Sequence, residues 1–184
     1  MAGVLKNRQP DLTVVCENIH DPHNVSAILR SCDAVGVETV HLLYSSGEFP
    51  EMGKKSSASA KKWVEVGFFS SCREARSFLK AQGFTVYATC LNEQAQSIYD
   101  VDWTAPAAIM VGNEHDGVSA EALEIADARV FIPMFGMIQS LNVSVATAVI
   151  LYEACRQRMI KGMYPHPFTS PEKLAAMLEK WIEK

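Results

Sequence analysis

No apolar run in this 184-residue chain reaches membrane-spanning length, because Asn142 interrupts the start of the longest one and Arg156 ends it. The first residues lack the apolar core of a secretion signal, since Lys6, Arg8 and Asp11 arrive too early. Five cysteines, an odd number without CxxC spacing, point to free thiols in a reducing compartment, with the cytoplasm as the expected location. His20, His23, His41, His115 and His166 show no ligand spacing, so no metal is expected. No GxGxxG follows the first strand, no GxxxxGK(S/T) occurs and no GxSxG elbow is present. Dinucleotide, P-loop and α/β-hydrolase chemistry are therefore unsignalled. There is neither a repeat nor a linker, and the length suits one domain over residues 1–184.

Excess positive charge is also missing: the net charge is −4, which does not advertise a nucleic-acid binder. The cations are clustered, however, at Lys54 and Lys55, at Lys61 and Lys62, and at Arg156, Arg158 and Lys161. Each cluster alone reads as a solvated face, but local patches matter more than the total for a phosphate backbone.

What is present is an alternation of strand and helix signals. Residues 1–10 read as a loose arm, and 12–16 as a buried, β-branched strand. Asp21-Pro22 then breaks the chain, and Asn24 can cap a helix to Val35 with Gly36 as its stop. Val25, Ile28, Leu29, Cys32 and Val35 recur at helical spacing, and Arg30 falls off that face as a surface salt-bridge residue. Strands are expected at 39–44, 63–66, 84–89, 107–111 and 129–132, and the 45–62 stretch is a polar loop. Ser71 with Glu74 makes a capping box closed by Gly83, and Ser119 opens a helix toward Ala126. From Asn142 onward an apolar, small-residue helix looks buried on nearly every side and ends in cations that suit its dipole. A last amphipathic helix, within a 165–184 extension, puts Leu174, Met177, Leu178, Trp181 and Ile182 on one face.

This pattern predicts an α/β fold: a mostly parallel sheet with helices on both faces. Ligands in such sheets sit beyond the carboxyl ends of the strands. Thr89-Cys90-Leu91, Gly112-Asn113-Glu114 and Ile132-Pro133-Met134 all fall there, and together they make a pocket. Spacing alone leaves His23 a helix-entry surface residue and Met134 and Met137 loop packing.

Three motifs, in order and on the predicted elements, carry a resemblance. The first is His23-Asn24-Val25-Ser26-Ala27-Ile28-Leu29-Arg30 with Asp33-Ala34-Val35-Gly36. The second is Val111-Gly112-Asn113-Glu114 with Gly117-Val118-Ser119. The third is Ile132-Pro133-Met134, Gly136-Met137 and Gln139-Ser140-Leu141-Asn142-Val143-Ser144-Val145-Ala146. The chain, over about residues 9–164, resembles the SpoU (TrmH-like) family of RNA ribose 2'-O-methyltransferases, in the knotted SPOUT superfamily. Arg156-Gln157-Arg158 and Gly162-Met163-Tyr164 are similar to the branch that methylates guanosine 18 in the tRNA D-loop.

The resemblance implies a deep trefoil knot in which residues from about 108 to 150 thread an earlier loop. It implies a homodimer packed through the first and last core helices, each site being completed by the partner. S-adenosylmethionine is then held by Thr89, Leu91, Gly112, Ile132, Met134, Ser140 and Leu141. Arg30, Asn24, Glu114, Ser140 and Asn142 carry the chemistry, while His23, Arg156, Arg158, Lys54 and Lys55 hold RNA. A guanidinium is not deprotonated in proteins, so Arg30 acts more readily by stabilising a developing alkoxide and fixing an adjacent phosphate. Ribosomal RNA or another tRNA position is the same-chemistry alternative substrate. A non-catalytic RNA-binding member and a doubly wound nucleotide-binding enzyme of another kind are the rivals from other classes.

Overall fold

Residues 107–111 are apolar at every position because both faces of their strand are covered. Ala107, Ile109 and Val111 face one core while Ala108 and Met110 face the other. The same alternation runs through residues 14–16, where Val14 and Cys16 join the first core and Val15 the second. The computed structural model describes residues 1–45, 60–166 and 170–182. Its strands are β1 (Leu12–Glu17), β2 (Thr39–Leu43), β3 (Glu65–Phe69), β4 (Thr85–Thr89), β5 (Gln96–Ser97), β6 (Ala107–Val111) and β7 (Ala128–Phe131). They form one sheet of order β3-β2-β1-β6-β4-β7-β5, and every pairing is parallel. The expected α/β architecture is the one observed. The two-residue β5 has too little periodicity to be seen in sequence.

The helices are α1 (Ala2–Leu5), α2 (Pro22–Ala34), α3 (Ala60–Trp63), α4 (Cys72–Ala81), α5 (Ala120–Ile125), α6 (Val143–Ile160) and α7 (Pro171–Ile182). α2 and α6 pack together over the first core, and α4 and α5 cover the second. Val25, Ile28, Leu29 and Cys32 of α2 are fully buried, each such side chain being worth about 1.5–3 kcal/mol. Ser71 caps α4 by accepting from Glu74 N at 3.3 Å, but the Glu74 carboxylate returns to Ser70 N, at 2.9 Å, rather than to Ser71. Ser119 caps α5 as expected.

Four expectations change. Asp21, not Asn24, caps α2: its carboxylate accepts from His23 N at 2.8 Å, and Pro22, preset for the first helical turn, follows it. Residues 60–63, partly expected as strand, form α3, and the strand begins at Glu65. The 1–10 segment is no loose arm, for Leu5, Arg8 and Gln9 are buried. Arg8 bonds Val37 O and Asp33 and lies 5.1 Å over the Trp181 ring, while Gln9 reaches Met163 O at 2.9 Å. Gly36, at φ +85°, closes α2 and lets Asn7 pass so near that a Cβ would sit 2.4 Å from its carbonyl oxygen.

The fourth concerns α6, which one chain covers on one side only. Thr147, Ile150, Leu151, Ala154 and Arg158 are buried, whereas Val145, Tyr152, Met159 and Ile160 are 48–76% exposed. In α7, Trp181 is buried against Trp63 at 4.8 Å, while Ile182 points to solvent. Among the described residues no helix is long and apolar enough to cross a membrane.

Candidate active site

The carboxyl ends of β4, β6 and β7 open into a cavity of about 750 Å³. Its walls come from the turns after those strands and from the start of α6. Thr89, Leu91, Gly112, Ile132, Met134, Ser140 and Leu141, the seven expected cofactor contacts, all line it, as do Glu114 and Asn142. Cys90 lines it too, as its post-strand place predicts, whereas Val118, Leu123, Val143 and Ala146, which also line it, were not assigned to the site from sequence. A signal existed for the last two: Val143 and Ala146 are one helical turn apart, directly after the capping Asn142.

The loop after β6 is tightly closed. Asn113 accepts the amides of His115 and Asp116 on its side-chain oxygen, both at 2.8 Å, and Gly117 N on its carbonyl at 3.2 Å. Gly112 has no room for a side chain, since a Cβ there would lie 2.0 Å from the Gly117 carbonyl. Gly117 adopts φ +69°, the left-handed turn that a Cβ disfavours. Glu114 is carried at the tip of this loop.

At the lip of the cavity three polar side chains from distant segments meet. Asn24 Nδ2 donates to Glu114 Oε1 at 2.7 Å, and Asn142 Nδ2 donates to Asn24 Oδ1 at 3.1 Å. Asn142 Oδ1 accepts from Ser144 N at 2.9 Å, capping α6. The backbone amides of His20 and Asp21 add contacts to Glu114 at 3.4 Å. Partial burial pushes the Glu114 carboxyl up, but donation from Asn24 and from the backbone of Glu114, His20 and Asp21 outweighs it, and the net shift is down. Glu114 is therefore an ionised acceptor at neutral pH.

Arg30 is exposed on α2, does not line the cavity of its own chain, and makes no ion pair among the described residues, contrary to a surface salt bridge. Ser140 is exposed at the cavity and His23 is exposed at the start of α2. Arg156 is 59% exposed and grips Glu153 through two bonds of 2.8 Å. Lys54 and Lys55 lie outside the described residues.

Arg158 corrects its RNA-binding assignment. Its side chain is fully buried and donates to Trp103 O at 2.9 Å, Gln9 Oε1 at 3.0 Å, Ala105 O at 3.2 Å and the Asp11 carboxylate. A guanidinium with its fork spent on internal acceptors has none left for a phosphate.

The comparisons agree with this geometry. Residues 11–152 match the SpoU rRNA Methylase family. A tRNA (guanosine(18)-2'-O)-methyltransferase of Thermus thermophilus is 52% identical over 181 residues, covering 98% of this chain and 93% of that protein. The crystal structure of the Aquifex aeolicus TrmH/SpoU tRNA modifying enzyme superposes with a TM-score of 0.91 at 43% identity, covering 99% of this chain and 92% of that one. The SpoU methyltransferase AviRb from Streptomyces viridochromogenes, in complex with AdoMet, superposes with a TM-score of 0.73 at 28% identity, covering 83% of this chain and 62% of that one. With its post-strand cavity, its amide–carboxylate lip and relatives matched over nearly its whole length, the chain belongs to the SpoU methylase family.

Proposed function

We propose that this chain transfers the methyl group of S-adenosylmethionine to the 2'-hydroxyl of guanosine 18 in the D-loop of tRNA. The observation that carries the reading is the union of cavity and lip: a ligand-sized space between strand ends, bordered by the Asn24–Glu114–Asn142 chain of hydrogen bonds. The near full-length likeness to a tRNA (guanosine(18)-2'-O)-methyltransferase selects the substrate.

A cavity of about 750 Å³ lies in the range that encloses a nucleoside-sized ligand. Leu91, Ile132, Met134 and Leu141 would supply apolar walls, Thr89 and Ser140 polar anchors, and the bare Gly112 backbone a close approach. When bound, S-adenosylmethionine supplies an electrophilic methyl on a sulfonium centre. The chain's own work is alignment and proton management. Asn24, Glu114 and Asn142, locked by one another, would orient the target ribose at the lip. Arg30 would stabilise the developing alkoxide with its fork and hold the neighbouring phosphate, which would relay the proton to water. His23 and Arg156 would grip the RNA backbone.

Arg30 lies outside its own chain's cavity, so it would serve the cavity of a second copy. The reading therefore includes a homodimer formed through α2 and α6, burying Val145, Tyr152 and Met159. It also includes a knotted path for residues 108–150, in keeping with the family.

The test is transfer of labelled methyl from S-adenosylmethionine to unmodified tRNA transcript, with nucleoside digestion and mapping. The expected product is 2'-O-methylguanosine at the D-loop position. Label on ribosomal RNA alone keeps the chemistry and rejects the target, and no label on either rejects the enzyme reading. Sedimentation as a monomer would reject the dimer.

A further inference from the structure

We propose that Glu17, which has no part in the reaction as described, is a positioning residue that holds the Glu114-bearing loop from beneath the cavity. Glu17 ends β1 and is 0% exposed. A buried carboxylate needs donors, and its described ones both belong to Ser119, 102 residues away. Ser119 N donates to it at 2.8 Å, and the Ser119 hydroxyl donates to its other oxygen. That hydroxyl also accepts from Ala122 N at 3.2 Å, so its proton is committed to Glu17 and one of its two lone pairs to α5.

The loop that Ser119 closes is rigid within itself, through Asn113 and through the Gly112–Gly117 contact. A rigid loop is aimed by its attachments. One end leaves the sheet at Val111, the tip meets Asn24 through Glu114, and the far end is held by Glu17. Val111 pairs with Cys16, the residue before Glu17, so the carboxylate grips the far end of the loop beside the strand where the near end leaves. Freeing the far end lets the loop pivot about Val111, which moves Glu114 at the lip and Gly112 at the cavity wall together. A glutamine at position 17 keeps the volume but loses the charge and has one acceptor oxygen for two donors; the Ser119 hydroxyl can accept from the amide only by turning its own proton out of the pair, so the grip is weakened.

The effect on rate rests on the methyl-transfer reading, whereas the effect on the loop rests on geometry alone, and the test separates them. Amide exchange is measured on the ligand-free full chain for wild type, Glu17→Gln, Ser119→Ala and Ser119→Thr, alongside kcat and KM for S-adenosylmethionine. In Glu17→Gln, exchange at residues 115–117 is expected to rise on the order of tenfold or more while strands β1 and β6 stay protected. Ser119→Ala, which leaves the carboxylate its backbone donor, shows a smaller rise, and Ser119→Thr, which keeps the hydroxyl, restores the wild-type pattern. KM for S-adenosylmethionine rises about tenfold in Glu17→Gln, and kcat falls with it because Glu114, which orients the target ribose, moves with the loop. Loop exchange equal to wild type, a rise shared equally by β1 and β6, or an unchanged KM for S-adenosylmethionine would each overturn the inference. A wild-type protein that methylates no RNA removes the functional reading, and the exchange data then decide the loop's attachment unaided. Should Glu17→Gln not fold, Ser119→Ala against Ser119→Thr makes the same comparison.

Discussion

Replacing Arg158 by alanine should unfold this protein more readily rather than merely loosen its grip on RNA. The side chain is fully buried, and its guanidinium satisfies Trp103 O, Ala105 O, Gln9 Oε1 and Asp11 together. Deleting one partner of a buried pair costs about 3–5 kcal/mol, because the other charge and its acceptors are left without donors. Asp11 keeps 20% exposure, so water recovers part of the loss. The lower end, about 3 kcal/mol, is the expected figure. For a domain of this size that is about 6–12 °C in Tm. Guanidinium titration should move the midpoint with the slope unchanged, since no additional surface is exposed. Arg156→Ala is the control: that side chain is largely exposed, and its buried partner Glu153 keeps Gln157 as a donor, so Tm falls by less than in Arg158→Ala while tRNA affinity drops and its salt slope falls by about one ion. An Arg158→Ala protein melting within ~2 °C of wild type but failing to bind tRNA would refute the reasoning, since that shift is at most about 1 kcal/mol.

The remaining predictions concern the cavity and one buried histidine. Gly112→Ala places a Cβ 2.0 Å from the Gly117 carbonyl, so calorimetry should detect no S-adenosylmethionine binding; an unchanged Kd would show that the wall is elsewhere. Asn24→Ala removes a donor from Glu114 and an acceptor from Asn142, which should raise the Glu114 pKa and lower kcat/KM about a hundredfold. Carbon-detected titration of Glu114 reads the first effect, and an unmoved midpoint rejects it. Burial pushes the His41 imidazole down to about 4, so the unfolded chain binds its proton first, near pH 6.5. The His41 contribution is thus complete above about pH 6.5 and is lost as pH falls toward 4, on the order of 3 kcal/mol in all. His41→Phe, placed against Phe69 and Phe78, should cancel that part of the acid sensitivity, and parallel stability–pH curves for the two proteins would reject it.

What the residues disclosed about the fold was whatever is decided locally. Two apolar runs, 12–16 and 107–111, are strands because nothing else buries both faces of so short a segment. Ser71, Ser119 and Asn142 cap helices because an oxygen one or two bonds from the backbone finds the nearest free amides. The cavity followed from topology, since parallel strands deliver their carboxyl ends to one edge. Long-range partnerships were hidden: Arg158 is satisfied by Gln9 and Asp11 from almost the other end of the chain. A clue was nevertheless there. Ile150, Ala154 and Arg158 recur at intervals of four, so Arg158 continues the buried stripe of α6, while Arg156 lies off it. Reading the helix's cations as one cluster ignored that phase. Asp21 was passed over as a cap because Asp-Pro looks like a break, yet Pro at the first helical position is a start signal.

The lip also explains why its two amide side chains are asparagines rather than aspartates. Ser144 N–H can only donate and an ionised Glu114 can only accept, so the chain between them runs one way. Asn142 takes the Ser144 proton on its oxygen and gives one from its nitrogen to Asn24, which does the same toward Glu114. An amide relays such a sequence with one defined orientation at each step, whereas a carboxylate at position 24 would face Glu114 across 2.7 Å with no proton between them. Both charges could not persist at that distance, and one would take up a proton or swing away. The start of α2, the loop after β6 and the start of α6 are thereby held in a single arrangement before any ligand arrives. A displacement reaction that needs its oxygen, carbon and sulfur in line benefits from a lip of that kind, because the ordering is complete in the folded chain and is not repeated at each turnover.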